Sequence, residues 1–388
     1  MHTYEVSPAL TLIEKHTTRA LANLFGLHGP HAGGISVQGG SDSNTTSIVV
    51  ARNTLFPDTK THGNASQNRK LILFTSAHGH YSIEKAAQML GFGSASVRAV
   101  PVDPQTGSMD PAAFKFLVHN AIEEGETPFY LNATAGTTVL GSYDPFEPLA
   151  ATCKEHNIWL HVDASWGGPA IFSPTHKDKL KGSESADSIA VNPHKMMGVP
   201  VTCSFLLAGD LRKLHASNTL PASYLFHNDE NNNTGTVGEV YDLADLTLQC
   251  GRRADSLKLY LSWIYHGTEG YASQIDTAFD TAAYLASLVV AHEDLVLVGP
   301  DPPACCQVCF FYAKGGVLRD AEGNGRVTKK IAGGLVPRGF MVDYAGVDGR
   351  GAFLRVVIAR GTGMGAVEGL VEAVVEIGGR VWGDGEGK

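Results

Sequence analysis

"SIAVNPHKMMGVP", residues 188–200, is the stretch on which the fold turns. Its apolar start, 189–191, suits a short buried strand, yet it empties into Asn192, Pro193, His194 and Lys195, which add nothing to strand stability. Lysine is almost never fully buried without a partner, so a lysine ending a buried strand needs a surface exit or a chemical purpose. A solvated lysine in a loop is the plain alternative. The strands around it decide between the two.

Apolar runs at 71–75, 129–133, 158–162 and 203–207 predict further strands. Helices are expected between them, over 82–90 closed by Gly91 and over 145–156 with Asp144 as N-cap. An amphipathic helix is expected over 5–26, and another beginning near Ser41. This alternation predicts an α/β fold, a large domain with a mostly parallel central sheet. The polar stretch "HNDENNNTGTVGEV", 227–240, reads as a mobile surface loop, and "LQCGRRADSLKLYLSWIYHG" as a helix leading out of the large domain. Strands at 308–312 and 353–358 and a closing helix with Val367, Leu370, Val371 and Val374 on one face predict a small C-terminal α+β domain. The expected division is an N-terminal helical segment 1–28, a large domain 29–266 and a small domain 267–388.

The 388 residues, 43% of them hydrophobic, are enough for a substantial core. A formal net charge of −9 argues against nucleic acid or an anionic membrane as partner and leaves a small molecule. No stretch approaches the roughly 18 apolar residues of a membrane span, and the N-terminus lacks the pattern of a signal peptide, so the expected compartment is cytoplasmic. Cys306 and Cys309 form a lone CxxC in a strand-like segment with no second pair or histidines beside it, so no metal is expected.

In wound α/β sheets ligands bind beyond the carboxyl ends of the strands. The residues there are "SAHGHYS", "TAGTT", Asp163 in "HVDASWGG", and "NPHK", so one cleft would collect His80, Thr137, Thr138, Asp163, His194 and Lys195. Upstream, "GGSDSN" would open a helix whose first N–H groups, with the Ser41 and Ser43 hydroxyls, make an anion site. It is neither a phosphate loop with GK[ST] nor a dinucleotide GxGxxG. A phosphate, a protonated ring nitrogen, a ring face and an aldehyde that wants an amine are the needs of pyridoxal 5'-phosphate. Asp163 would face the ring nitrogen, His80 would stack on the ring and Lys195 would form the imine.

The series "TYEVSP", "GGSDSN", "FTSAHGHYSIEKAA", "NATAGTTVLGSYDP", "WLHVDASWGG", "ADSIAVNPHKMMGVP", "ASYLF", "QCGRRAD" and "FLRVVIA" resembles the pyridoxal-phosphate-dependent group II amino acid decarboxylases, the glutamate and cysteine sulfinate decarboxylases among them. The resemblance implies a fold type I homodimer with shared active sites and α-decarboxylation of a small acidic L-amino acid: glutamate, aspartate or cysteine sulfinate. It implies Lys195 as the Schiff-base lysine, Asp163 as partner of the ring nitrogen and His80 as the stacking histidine. Gly40 and Ser41 match phosphate contacts, His194 stands beside the lysine, and Arg355 matches the arginine that binds the substrate carboxylate. Ser43, Thr138, Ser165 and Asn192 complete the expected cofactor-binding set.

Three departures stand out. The family carries a longer segment before "TYEVSP", so the resemblance implies a substrate pocket incomplete by family standards. Ser165 replaces the family's alanine under the ring. The loop tyrosine that returns a proton to the substrate aligns near Val237, while Tyr241 matches a later tyrosine, and neither Thr236 nor Glu239 supplies a matched acid. The alternatives are therefore a pyridoxal-phosphate enzyme of altered chemistry, forming an aldehyde or a carbon–carbon bond, or a cofactor-binding homologue with little activity.

Overall fold

The computed structural model describes residues 3–220, 240–346 and 349–383. Among them, the larger sheet comprises β1 (Gly33–Val37), β2 (Leu71–Ser76), β3 (Val97–Val100), β4 (Thr127–Thr134), β5 (Trp159–Ala164), β6 (Ser188–Val191) and β7 (Ser204–Ala208). Their order is β1-β7-β6-β5-β4-β2-β3. From β6 to β3 every neighbouring pair is parallel, while β7 runs antiparallel to both β6 and β1. Strands β5, β6 and β7 are buried along their whole length, as a sheet covered on both faces requires.

The cover consists of α1 (Pro8–Leu24), α2 (Gly40–Leu55), α3 (Thr59–His62), α4 (Ser82–Met89), α5 (Pro111–Glu123), α6 (Phe146–Glu155) and α7 (Leu211–Asn218). Alternation along β2 sorts the two cores. Ile72 and Phe74 pack with Phe114 of α5 and Phe146 of α6, whereas Leu71 and Leu73 pack with Ile48 of α2, Ile83 of α4 and Leu214 of α7. The winding reverses at β2, with β3 on one side of it and β4 on the other, and such a reversal opens a crevice at the carboxyl ends of the strands.

Helix α8 (Ser256–Ala291) leads to a second sheet of β8 (Leu295–Val298), β9 (Gln307–Tyr312), β10 (Asp343–Ala345) and β11 (Phe353–Val357), with α9 (Ala321–Leu335) and α10 (Met364–Gly383). This sheet is antiparallel in the order β10-β11-β9-β8. Gly267 has φ 68° and ψ 172°, a conformation open essentially to glycine alone, and it interrupts α8. The chain is an α/β protein with a mostly parallel large sheet. No described helix is long and apolar enough to cross a membrane.

Two local expectations fail. Asp144 caps no helix: its two carboxylate oxygens accept the backbone N–H groups of Met109 and Thr134, each at 2.7 Å, and α6 starts after Pro145 without a side-chain cap. The stretch before α8 is irregular up to Asp255, because Arg252 turns inward to pair with Glu14 of α1, both buried. A helix would carry that guanidinium away. The loop expected over 227–240 lies outside the described residues apart from Val240.

Candidate active site

A cleft of about 230 Å³ opens where the crevice was expected. The start of α2 supplies Gly40 and Ser41, the end of β2 supplies His80, and the turn after β4 supplies Thr138. Asp163 and Ser165 come from β5 and its end, and Asn192, His194 and Lys195 from the turn after β6. Ser43 is not brought in: it is fully buried one turn along α2, with its hydroxyl donating to the Phe205 carbonyl at 3.4 Å. Arg355, on β11, does not line the cleft: its Nε donates to the Thr138 carbonyl at 2.7 Å, and another guanidinium nitrogen lies 3.7 Å from the Asp343 carboxylate. Val237 lies outside the described residues. Tyr241 packs at a tilt against Tyr4 under the Lys15 ammonium and lines no part of the cleft.

Asp163 is buried, which by itself pushes its pKa up. Hydrogen bonding from Ser165 and from the Asn44 amide at 2.9 Å, with the Lys195 charge nearby, outweighs burial and holds the carboxyl below its ordinary value. The carboxylate is ionised. Lys195 keeps surface open to the cleft, although protein atoms crowd it on most sides. Desolvation lowers its pKa, Asp163 opposes that shift, and the Arg355 charge adds to it. Burial also lowers His80 and His194. His80 Nδ1 lies 2.8 Å from Ser82 Oγ, and His194 Nδ1 lies 2.8 Å from the Cys203 carbonyl.

These residues fit pyridoxal phosphate on two observations of the structure itself. Ser165 Oγ is buried with no hydrogen-bond partner, a polar atom that a ligand would satisfy. Gly40 leaves a cradle at the start of α2: a Cβ there would stand 2.5 Å from Ser165 Oγ and 2.9 Å from the Asn192 amide. Only glycine lets the helix start approach so closely.

Residues 1–313 match the pyridoxal-dependent decarboxylase conserved domain. The chain belongs to that family. An L-aspartate decarboxylase of Metarhizium robertsii is 50% identical over 98% of this chain and 74% of its own length. A glutamate decarboxylase-like protein of Gibberella zeae is 38% identical over 97% of this chain and 78% of its own. The crystal structure of mouse CSAD superposes with a TM-score of 0.88 at 34% identity, covering 97% of this chain and 78% of that one. The protein is a carboxy-lyase that acts on an amino acid with pyridoxal 5'-phosphate as cofactor.

Three polar residues around the cleft escaped the sequence reading: Asn44, Ser82 and His161. The signal for His161 was present, since Trp159, His161 and Asp163 alternate along β5 and share one face. His161 is fully buried, and burial pushes its pKa down to about 4 despite the Asp163 charge. The folded protein then binds fewer protons than the unfolded chain between about 6.5 and about 4. Stability is expected to fall as pH drops through that window, by on the order of 3 kcal/mol from this group. Urea unfolding at several pH values checks it: His161→Gln should flatten the slope, and an unchanged slope would contradict it.

Proposed function

We propose that the chain removes the α-carboxylate of a small acidic L-amino acid, and that Lys195 is the attachment point of its cofactor. One observation carries the reading: the Lys195 amine and the Asp163 carboxylate share a cleft, with the cationic Arg355 near enough to lower the amine's pKa. A substrate with two carboxylates needs a cation besides the attachment lysine, and Arg355 is that cation. The name of the 50% identical relative supports L-aspartate as the first substrate to test.

When bound, pyridoxal phosphate supplies a ring that takes up the electron pair left as carbon dioxide departs. Asp163, held ionised, would keep the proton on the ring nitrogen. Gly40 and Ser41 at the α2 start, with Thr138, Ser165, Asn192 and His194, would hold the cofactor. His80, on the cleft wall, would stack on the ring. Arg355, fixed through Nε to the Thr138 carbonyl, turns its remaining N–H groups to a substrate carboxylate.

The protein acts as a homodimer in the cytosol in this reading. Leu261, Ile264 and Tyr265 are exposed on one face of α8 and give a second copy an apolar surface to cover. All six cysteines are thiols, which suits a reducing compartment.

Carbon dioxide release from L-aspartate, L-glutamate, L-cysteine sulfinate and an aromatic amino acid tests the function. Release from the acidic substrates alone is expected. Release from the aromatic one alone, or from none at saturating cofactor, would overturn it. Arg355→Ala should raise KM for the acidic substrate by about 10–100-fold, the loss of one charge-assisted pair. If initial-rate kinetics leave KM unchanged, the arginine serves structure only.

A further inference from the structure

Asn44 is fully buried on α2, in the turn after the cofactor cradle, and its amide touches three other polar side chains. Nδ2 donates to Asp163 Oδ2 at 2.9 Å and to Ser82 Oγ at 2.9 Å, while Oδ1 lies 3.0 Å from His161 Nε2. Beyond them, Ser82 Oγ reaches His80 Nδ1 at 2.8 Å, and His161 Nδ1 reaches Ser188 Oγ at 2.8 Å. The indole N–H of Trp159 donates to Ser188 Oγ at 2.9 Å. One chain of hydrogen bonds thus joins the carboxylate in the cleft to the imidazole on its wall.

The hydrogens in this chain are fixed by groups that can only donate. The Ser82 backbone N–H points to His80 Nδ1 at 3.3 Å, so that nitrogen is an acceptor. Ser82 Oγ already accepts from Asn44, which leaves its own hydrogen for His80 Nδ1. A neutral His80 therefore carries its hydrogen on Nε2. At the other end, His161 is kept neutral by burial. Its Nε2 faces the Asn44 carbonyl and must bear the hydrogen, and Nδ1 accepts from Ser188. Reversing the Asn44 amide would set its carbonyl against the Asp163 carboxylate.

We propose that Asn44 is a positioning residue for the cleft: its amide holds Asp163 as an anion and, through Ser82, holds His80 as the tautomer with hydrogen on Nε2. The inference rests on the reading of Asp163 and His80 given above. It deepens that reading by naming what sets their proton states. Asn44 touches neither substrate nor cofactor in this assignment. Its backbone geometry is ordinary helix, so its side chain is what matters.

Neutron diffraction from deuterated holoenzyme tests it without any substitution. Deuterium is expected on Nε2 of His80 and of His161, on Ser82 Oγ directed at His80, and none on Asp163. Deuterium on His80 Nδ1 or on the Asp163 carboxyl would overturn the assignment. Asn44→Asp, nearly the same shape, replaces the donating amide nitrogen with an acceptor. It should lower kcat by about 10–100-fold, as loss of a supporting hydrogen bond does, with KM changed less than about threefold. It should also alter the absorption spectrum of the bound cofactor. A variant with the parent's melting temperature, spectrum and kcat would overturn the role. If the parent decarboxylates no acidic amino acid, the proposed reaction fails, while the neutron map still decides the proton arrangement.

Discussion

Lys195→Ala is expected to abolish turnover, by on the order of 10⁴-fold or more, while the protein still binds pyridoxal phosphate non-covalently. The amine is the group in this cleft that can attack a carbonyl carbon, and its lowered pKa leaves more of it as free amine than an ordinary lysine would have. Its removal leaves the other anchors in place: the Gly40 cradle, the Asn192 amide and the ionised Asp163 do not depend on it for position. Folding should not suffer. Lys195 is exposed to the cleft and its side chain holds no other element in place, so an alanine there opens no hole in the core. Borohydride reduction followed by peptide mass spectrometry checks the chemistry. The parent should carry the cofactor mass on the peptide with Lys195, and the variant should carry none. A labelled variant, or a parent labelled on another lysine, would sink the assignment.

The part of the cleft that the sequence makes legible is the part built at strand ends. Asp163 and Lys195 each follow an apolar run, and an ionisable residue at the carboxyl end of a buried strand stands out against its neighbours. The fold class is legible for the same reason, since alternating strand and helix patterns leave few ways to wind a sheet. Asn44 was not legible. It sits in "SDSNTTS", a polar run at a helix start, where asparagine is as ordinary as serine, and only the turn of α2 against β5 gives it three partners. Ser43 is the converse case: its place in the same run suggested a phosphate donor, but the roughly 100° turn per residue around a helix points it into the sheet. Asp144 illustrates a third limit, because a cap is a local pattern whereas its two backbone donors come from positions 109 and 134. Long-range partners of buried polar groups are set by packing, which no local pattern encodes.

Asp163→Asn should bind cofactor through Lys195 and the α2 start yet lose turnover by on the order of 10²–10³-fold, about 3–4 kcal/mol of transition-state stabilisation. A neutral amide cannot hold a proton on a ring nitrogen as a carboxylate does, so the electron sink weakens without loss of the site's shape. The substitution also reaches the hydrogen-bond chain. If the oxygen of the introduced amide accepts from Ser165 N–H, its NH₂ group faces the Asn44 NH₂ across the present 2.9 Å contact. One amide must turn, and turning Asn44 strips Ser82 of its donor. Acid stability supplies an independent readout. The Asp163 carboxyl titrates below its ordinary 3.8, so its ionised form stabilises the fold above that pH, and this contribution is lost as pH falls through the lower folded value. The asparagine variant should be less stable than the parent at neutral pH, with the gap closing at strongly acid pH. Measured together, kcat, cofactor affinity and urea stability separate the two roles: a variant as active as the parent removes Asp163 from the chemistry, and a gap in stability that ignores pH removes it as a buried anion.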